Sequence, residues 1–152
     1  MKYCGTLISV SDMEKAKNFY EKVMEQKIIM DLRVHVSFEN GLSLQSNYAE
    51  LVGETIVAQP KPNNFQLYFE VEDLDYWESK LKSIKEIEFI HEKKEYPWGQ
   101  NVIRFYDYDK YIIEVSESMV SVAKRFLAEG VSVEETAERT MFPIDVIKQL
   151  MG

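Results

Sequence analysis

One carboxylate stands inside an apolar segment about three quarters of the way along the chain. Glu114 belongs to the run Ile-Ile-Glu-Val at 112–115, whose composition is typical of a core strand. A charge removed from water is costly unless it is paired, so two interpretations are open. Either Glu114 faces a ligand pocket, or it pairs with Arg104 or Lys110. Without such a cation, a buried carboxylate becomes a stronger base, which would suit general-base catalysis.

A second candidate is the tryptophan of the Trp98-Gly99 pair. The flat face of Trp98 could form one wall of a pocket for an aromatic or cationic ligand. The alternative is a loop anchor that fills a gap between sheet and helix. The acidic pair that follows, Asp107 and Asp109, is most simply explained as a turn.

Composition and charge exclude several classes of function. The 152 residues are 45% hydrophobic and 12% aromatic, which predicts one folded domain with a real core. The net charge of −8 predicts no nucleic-acid partner, because an acidic chain repels phosphate. A single cysteine, the absence of a signal-peptide pattern and the absence of an 18-residue apolar run predict a cytoplasmic protein without a membrane segment. The sequence contains no Walker loop, no GxGxxG motif, no nucleophile elbow and no Cys/His pattern with zinc-site spacing. It therefore gives no indication of covalent, nucleotide or zinc chemistry.

The first half of the chain predicts a strand, a helix and three short strands. Alternation over 2–10 predicts the first strand, with Cys4 on its core side. Ser11 or Asp12 can cap the amphipathic helix that follows. Asn40-Gly41 is a strong hairpin signal. The three short strands are predicted at 27–31, 33–39 and 42–46.

The second half repeats this order. A strand at 65–71 precedes a helix at 72–84, and the later strands are predicted near 87–91, 101–107 and 111–116. Two βαβββ units in one chain indicate two copies of one structural module, and therefore an α+β fold.

Residues 117–152 change to a helical period and are predicted to form a helical extension of the domain at 1–116. Gly130 is a predicted C-cap, Ser132 opens a capping box, and Pro143 suits the first turn of a last helix. The extension is similar to the helical pairs of DNA-binding proteins, but four Lys/Arg against six Asp/Glu give it no cationic face. It is predicted to pack on the domain or to promote dimerisation.

The two units resemble the vicinal oxygen chelate superfamily, also called the glyoxalase/bleomycin resistance/dioxygenase superfamily. Three segments carry the resemblance, the last being the most specific: LISVSDMEKAKNFYEKVM, YFEVEDLDYWESKL and YPWGQNVIRFYDYDKYIIEV. The resemblance covers 1–116. It implies two half-cups of mixed sheet with helices outside, a pocket within one chain or across a homodimer, and in the metal enzymes four His, Gln or Glu ligands around a divalent ion.

When the four ligand positions of the family are carried over to this chain, most of them hold residues that are poor metal ligands. The first falls on Gly5, the second on Gln45, or on Ser43 if the register shifts, the third on Gln66 and the fourth on Glu114. Divalent ions prefer deprotonated oxygens or neutral imidazoles, so Glu114 is the only credible metal ligand. The two glutamines could instead orient an organic ligand, or bond to each other or to water.

The resemblance leads to one leading hypothesis and two alternatives. The leading hypothesis is a metal-independent protein that binds a small molecule in the sheet cup, with Ser43, Gln45, Gln66, Tyr68, Trp98 and Glu114 as ligand-binding residues and no cofactor. Tyr68 is included because it shares the side of its strand with Gln66; otherwise it is a half-buried sheet aromatic. The alternatives are a divalent-metal-dependent lyase or dioxygenase that uses Glu114, and a structural or regulatory dimerisation module.

Overall fold

The computed structural model describes residues 1–151, and the chain forms two compact units. The first unit consists of residues 1–64 and 107–111, and the second of residues 65–106 and the chain from 112 onward. Each unit contains one four-stranded mixed sheet with the order of elements βαβββ. The predicted α+β fold with two such modules is therefore confirmed.

The first unit has the strand order β1-β4-β3-β2, with β1 parallel to β4 and the other pairs antiparallel. Its helix α1 continues directly into a π-helical segment at Phe19–Val23, where Phe19 and Tyr20 are fully buried. The bounds of its elements are β1 Thr6–Ser9, α1 Met13–Asn18, β2 Ile28–Asp31, β3 His35–Phe38, β4 Leu42–Gln45 and α2 Tyr48–Val52.

Local signals explain where these elements begin and turn. The side chain of Asp12 accepts a hydrogen bond from the backbone of Lys15 and so caps α1. The predicted hairpin at Asn40-Gly41 is present, but only Gly41 has a positive φ. The Gly41 amide bonds to the Phe38 carbonyl, which indicates a tight turn followed by a left-handed glycine.

The start of β1 differs from the prediction. The strand begins at Thr6, and Cys4 is exposed rather than on the core side. Gly5 has a φ of 153°, and a Cβ added there would lie 2.0 Å from the Gly41 carbonyl oxygen. A side chain at this first ligand place would collide with the turn before β4, which is the physical reason that the place holds glycine.

The second unit has the equivalent strand order β5-β8-β7-β6, with β5 parallel to β8. Strand β8 is central, and four of its six residues are buried. The strand β6 extends to Glu95, four residues beyond the predicted end. The bounds are β5 Gln66–Val71, α3 Leu74–Lys82, β6 Glu88–Glu95, β7 Asn101–Tyr106, β8 Ile112–Glu117, α4 Met119–Ala128, α5 Val133–Thr140 and α6 Ile144–Gln149.

The three C-terminal helices belong to the second unit and have a small core of their own. Ala123, Ala137 and Ile147, one from each helix, are buried together. Ser132 caps α5, and Gly130 ends α4 with a φ of 85°, as the sequence predicts. Throughout residues 1–151, no helix is long and apolar enough to cross a membrane.

Candidate functional site

The second unit contains a cavity of about 730 Å³. Four of the residues proposed from the sequence line it: Gln66, Tyr68, Trp98 and Glu114. Five lining residues were not proposed from the sequence: Gln100, Met119, Arg139, Thr140 and Met141. The lining therefore combines aromatic and methionine side chains with amides and one residue of each charge.

Glu114 is the buried carboxylate at this cavity, with 6% of its surface exposed. Arg104 lies directly opposite it on β7, and the two side chains form an ion pair. Gln66 on β5 donates from Nε2 to Glu114 Oε2 at 2.8 Å and accepts from Arg104 Nε at 3.1 Å. The carboxylate thus lines a cavity and is also paired, so the two interpretations of Glu114 are not exclusive.

Arg104 is held by further groups on β6 and the loop that follows it. Its Nη1 donates to the Tyr96 hydroxyl and lies 3.1 Å from His91 Nε2. The His91 Nδ1 atom is 2.8 Å from the Glu92 carbonyl, so the neutral tautomer with the proton on Nδ1 satisfies both contacts. Tyr96 in turn stacks on Trp98, with ring centroids 4.9 Å apart. One network therefore connects the Glu114 ion pair to the aromatic wall.

Gln100 is another buried polar residue of the lining, with 7% of its surface exposed. Its Nε2 donates to Ser116 Oγ at 3.1 Å and to the Glu117 carbonyl at 2.8 Å. Its Oε1 accepts from Trp98 Nε1 at 3.0 Å. The only sequence signal for Gln100 is its position directly after Trp98-Gly99, and it fixes the orientation of the indole.

Tyr68 lines the cavity, and its hydroxyl is bonded to neighbouring side chains. The hydroxyl donates to Glu70 Oε1 at 2.7 Å and accepts a long bond of 3.4 Å from Gln100 Nε2. Burial is the main cause that raises the pKa of Tyr68 above its usual value. The phenol is therefore a neutral hydroxyl at physiological pH.

The Trp98-Gly99 loop lies between the cavity and the first helix of the extension. Trp98 lines the cavity, and a Cβ added at Gly99 would lie 2.0 Å from Cζ of Phe126 on α4. The loop backbone thus contacts the first helix of the extension closely enough to require glycine. The Gly99 carbonyl also accepts from Arg125 Nη2 at 2.6 Å.

The extension supplies one wall of the cavity. Met119 begins α4, and Arg139, Thr140 and Met141 form the end of α5 and its C-cap. Sequence reasoning placed no site residue in this part of the chain. Periodicity identifies which residues of a helix face a core, but not which end of the helix reaches a cavity formed by a distant sheet.

Ser43 and Gln45 lie in the first unit and do not line this cavity. Gln45 Oε1 is 3.0 Å from His35 Nδ1, and Ser43 Oγ is 2.9 Å from Ser37 Oγ, which also contacts His35 Nε2 at 3.0 Å. Leu7 and Tyr68 occupy equivalent positions, each five residues before the aspartate that caps the following helix, Asp12 or Asp73. Leu7 pairs with Ser43 in the first sheet, and Tyr68 pairs with Glu114 in the second. Ser43 rather than Gln45 is therefore the counterpart of Glu114 in the first unit.

The residues around Glu114 do not fit a divalent metal ion. Its carboxylate already contacts the guanidinium of Arg104 and the amide of Gln66. A guanidinium that contacts the carboxylate repels a metal ion from it. Metal sites also need several anionic or imidazole donors. Within residues 1–151, no group of three or more His, Cys, Asp or Glu side chains is arranged to hold a metal.

Comparisons with known proteins agree with the paired modules. A family model described as a Glyoxalase-like domain matches residues 3–120. A crystal structure of a protein of unknown function from Agrobacterium tumefaciens is 32% identical, covers 78% of this chain and 94% of its own, and has a TM-score of 0.71. A search of curated protein sequences found no significant match.

Two further solved structures have lower identity. A glyoxalase/bleomycin resistance protein/dioxygenase from Nocardioides is 19% identical, covers 77% of this chain and 83% of its own, and has a TM-score of 0.61. A lactoylglutathione lyase from Agrobacterium tumefaciens is 20% identical, covers 77% of this chain and 93% of its own, and has a TM-score of 0.60. At these identities the likeness shows the fold alone.

Proposed function

The chain belongs to the glyoxalase-like family of the vicinal oxygen chelate superfamily, and from this premise we propose that it binds a small organic molecule in the cavity of its second unit without a metal ion. The observation that carries the proposal is the pairing of Glu114 with Arg104 and Gln66. The one carboxylate at a family ligand place is thereby committed to protein contacts.

The shape and lining of the cavity support binding of an organic ligand. Its volume of about 730 Å³ lies within the range of about 300–1,000 Å³ that small-molecule sites occupy. Trp98, Tyr68, Met119 and Met141 offer apolar surface, and aromatic faces and methionine thioethers are well suited to a planar apolar ligand.

Two polar side chains of the lining are held in place by hydrogen bonds to other protein groups. Gln100 holds the indole of Trp98 through the 3.0 Å bond from Nε1. Gln66 is held between Glu114 and Arg104. Because these side chains are ordered before a ligand arrives, little conformational entropy is lost when it binds.

The homodimer implied by the family resemblance stays a prediction.

A neutral fluorescent probe tests the proposal. N-phenyl-1-naphthylamine emits more strongly in an apolar site, and we expect saturable binding to the wild-type protein in the presence of EDTA. Trp98→Ala should weaken binding several-fold, because the stacked aromatic surface contributes about 1 kcal/mol. Tyr76→Ala is the matched control, since Tyr76 is an exposed aromatic of the same unit that does not line the cavity.

Two results would overturn the proposal. One is an absence of saturable binding. The other is binding that appears only when a divalent metal is added, which would favour the metal-dependent lyase or dioxygenase instead.

A further inference from the structure

Arg139 is the charged residue that the helical extension brings to the cavity. It lies in the last turn of α5, and its guanidinium stacks on the ring of Phe126 at 3.9 Å from the centroid. Arg139 is half-buried. The family model ends at residue 120, so α5 lies outside the part of the chain that the family shares.

The wall that carries Arg139 is well fixed. Thr136 and Thr140 are buried in the same helix, and Thr140 Oγ1 donates to the Thr136 carbonyl at 2.6 Å. Ser132 caps the helix at its other end. The stacking on Phe126 further restrains the guanidinium, so its position at the cavity is part of the fold.

The other polar side chains of the lining are already bonded to protein groups. Glu114 is paired with Arg104, and Gln66 uses both ends of its amide in the same network. Gln100 likewise bonds through both its oxygen and its nitrogen.

Arg139 differs from these residues. Among residues 1–151, it has no carboxylate within ion-pair distance, whereas Arg125 on the neighbouring helix pairs with Glu117. A guanidinium carries five N–H donors, and stacking on an aromatic ring leaves them available. The unused hydrogen-bonding capacity and the uncompensated charge of this cavity therefore lie together on one side chain.

We propose that the cavity takes an organic anion with a planar apolar body, and that Arg139 binds its anionic group while Trp98 and the methionines contact the body. This proposal rests on the proposed function of the same cavity. A carboxylate or sulfonate suits the arrangement because a guanidinium binds two oxygens at once with charge-assisted hydrogen bonds. The extension then determines the class of ligand that an otherwise family-typical unit accepts.

Two probes that share one apolar body distinguish the contribution of the anionic group to the affinity from that of the body. 1-Anilinonaphthalene-8-sulfonate carries a sulfonate that N-phenyl-1-naphthylamine lacks. We expect the wild-type protein to bind the sulfonate about tenfold more tightly than the neutral probe, although the net charge of −8 opposes any nonspecific preference for an anion.

The variants locate this preference. Arg139→Gln should remove the roughly tenfold difference in affinity between the two probes. Arg139→Lys should keep part of the preference, because the charge remains while the planar fork is lost. Lys124→Gln is the matched control, since Lys124 is an exposed cation on α4 that does not line the cavity, and it should behave as the wild type.

The outcomes distinguish the two proposals. Equal affinities of the wild type for both probes would overturn the anion proposal and leave the binding function intact. A preference that survives in a folded Arg139→Gln variant, with circular dichroism and melting temperature as checks of the fold, would also overturn it. If neither probe binds, the proposed function fails, and the anion proposal fails with it.

Discussion

Arg104 and Glu114 face each other on adjacent antiparallel strands, and their ion pair places the buried carboxylate next to a guanidinium that compensates its charge. The side chain of Glu114 is 8% exposed and that of Arg104 is 22% exposed. A pair in this position is sensitive to loss of one partner, because the remaining charge stays partly buried without compensation.

We expect Arg104→Gln to lower the free energy of unfolding by about 2 kcal/mol, because it leaves Glu114 with only the Gln66 amide. Denaturant unfolding measures this effect. Glu114→Gln should cost less, since Arg104 keeps its contacts with Tyr96 and His91 and is more exposed. The double variant should recover part of the loss, and a purely additive cycle would show that the two side chains do not interact in solution.

Metal ions should not stabilise the protein. We expect additions of Ni²⁺, Zn²⁺, Mn²⁺, Fe²⁺ or Co²⁺ to protein without a histidine tag to leave the melting temperature unchanged, because the carboxylate at the ligand place is occupied by Arg104 and Gln66. Glu114→Ala serves as the control. A rise in melting temperature that occurs in the wild type and is lost in Glu114→Ala would contradict the metal-independent function.

A buried carboxylate in the first unit should make stability depend on pH. Asp107 accepts from the hydroxyl of the fully buried Tyr20 at 2.6 Å and from the backbone amides of Asp109 and Tyr111. Burial raises the pKa of Asp107 to about 6, from a usual value of 3.8. Because this pKa is higher in the folded state, the folded protein binds the proton more tightly than the unfolded chain does.

The contribution of Asp107 is therefore fully present below pH 3.8 and is lost as the pH rises through about 6. We expect the wild type to gain on the order of 2 kcal/mol relative to Asp107→Asn between pH 7 and pH 4. Urea unfolding at several pH values measures the difference. Tyr20→Phe removes a hydrogen bond that lowers the pKa of Asp107, so it should move the transition to higher pH. Parallel pH profiles for the wild type and Asp107→Asn would refute this assignment.

The contact between the Trp98 loop and α4 can be tested with two glycines. Gly99 and Gly130 have φ values of 87° and 85°, but an added Cβ meets Phe126 only at Gly99. Alanine at either position costs about 1 kcal/mol in backbone strain. We expect Gly99→Ala to cost roughly 2 kcal/mol more than Gly130→Ala, because it overpacks the loop against the helix.

Thermal or chemical unfolding of the two variants gives this difference directly. Combining Gly99→Ala with Phe126→Leu should recover part of it, since the smaller side chain makes room for the methyl group. Equal losses of stability for Gly99→Ala and Gly130→Ala would mean that the loop moves away from α4 at little cost.

The sequence predicts the order of elements because the signals for that order are local. Asp12 and Ser132 mark helix starts through hydrogen bonds to backbone amides three residues away, and the structure has both caps. Asn40-Gly41 marks the hairpin for a similar reason. Cys4 is a failure of the same reasoning, because the alternation before Thr6 does not reveal that the strand begins only where β4 can pair with it.

In the candidate site, too, the sequence predicted what depends on local chemistry, and the tertiary structure decided what depends on distant contacts. The sequence by itself identified Glu114 as a charge that needs a partner, since burying a charge in an apolar strand is costly whatever the fold. Only the tertiary structure decided that the partners are Arg104 and Gln66, from β7 and β5, because sheet register brings together residues that are 10 and 48 positions apart. Only the tertiary structure brought Arg139 to the cavity, since the packing of α5 depends on contacts that no local pattern encodes.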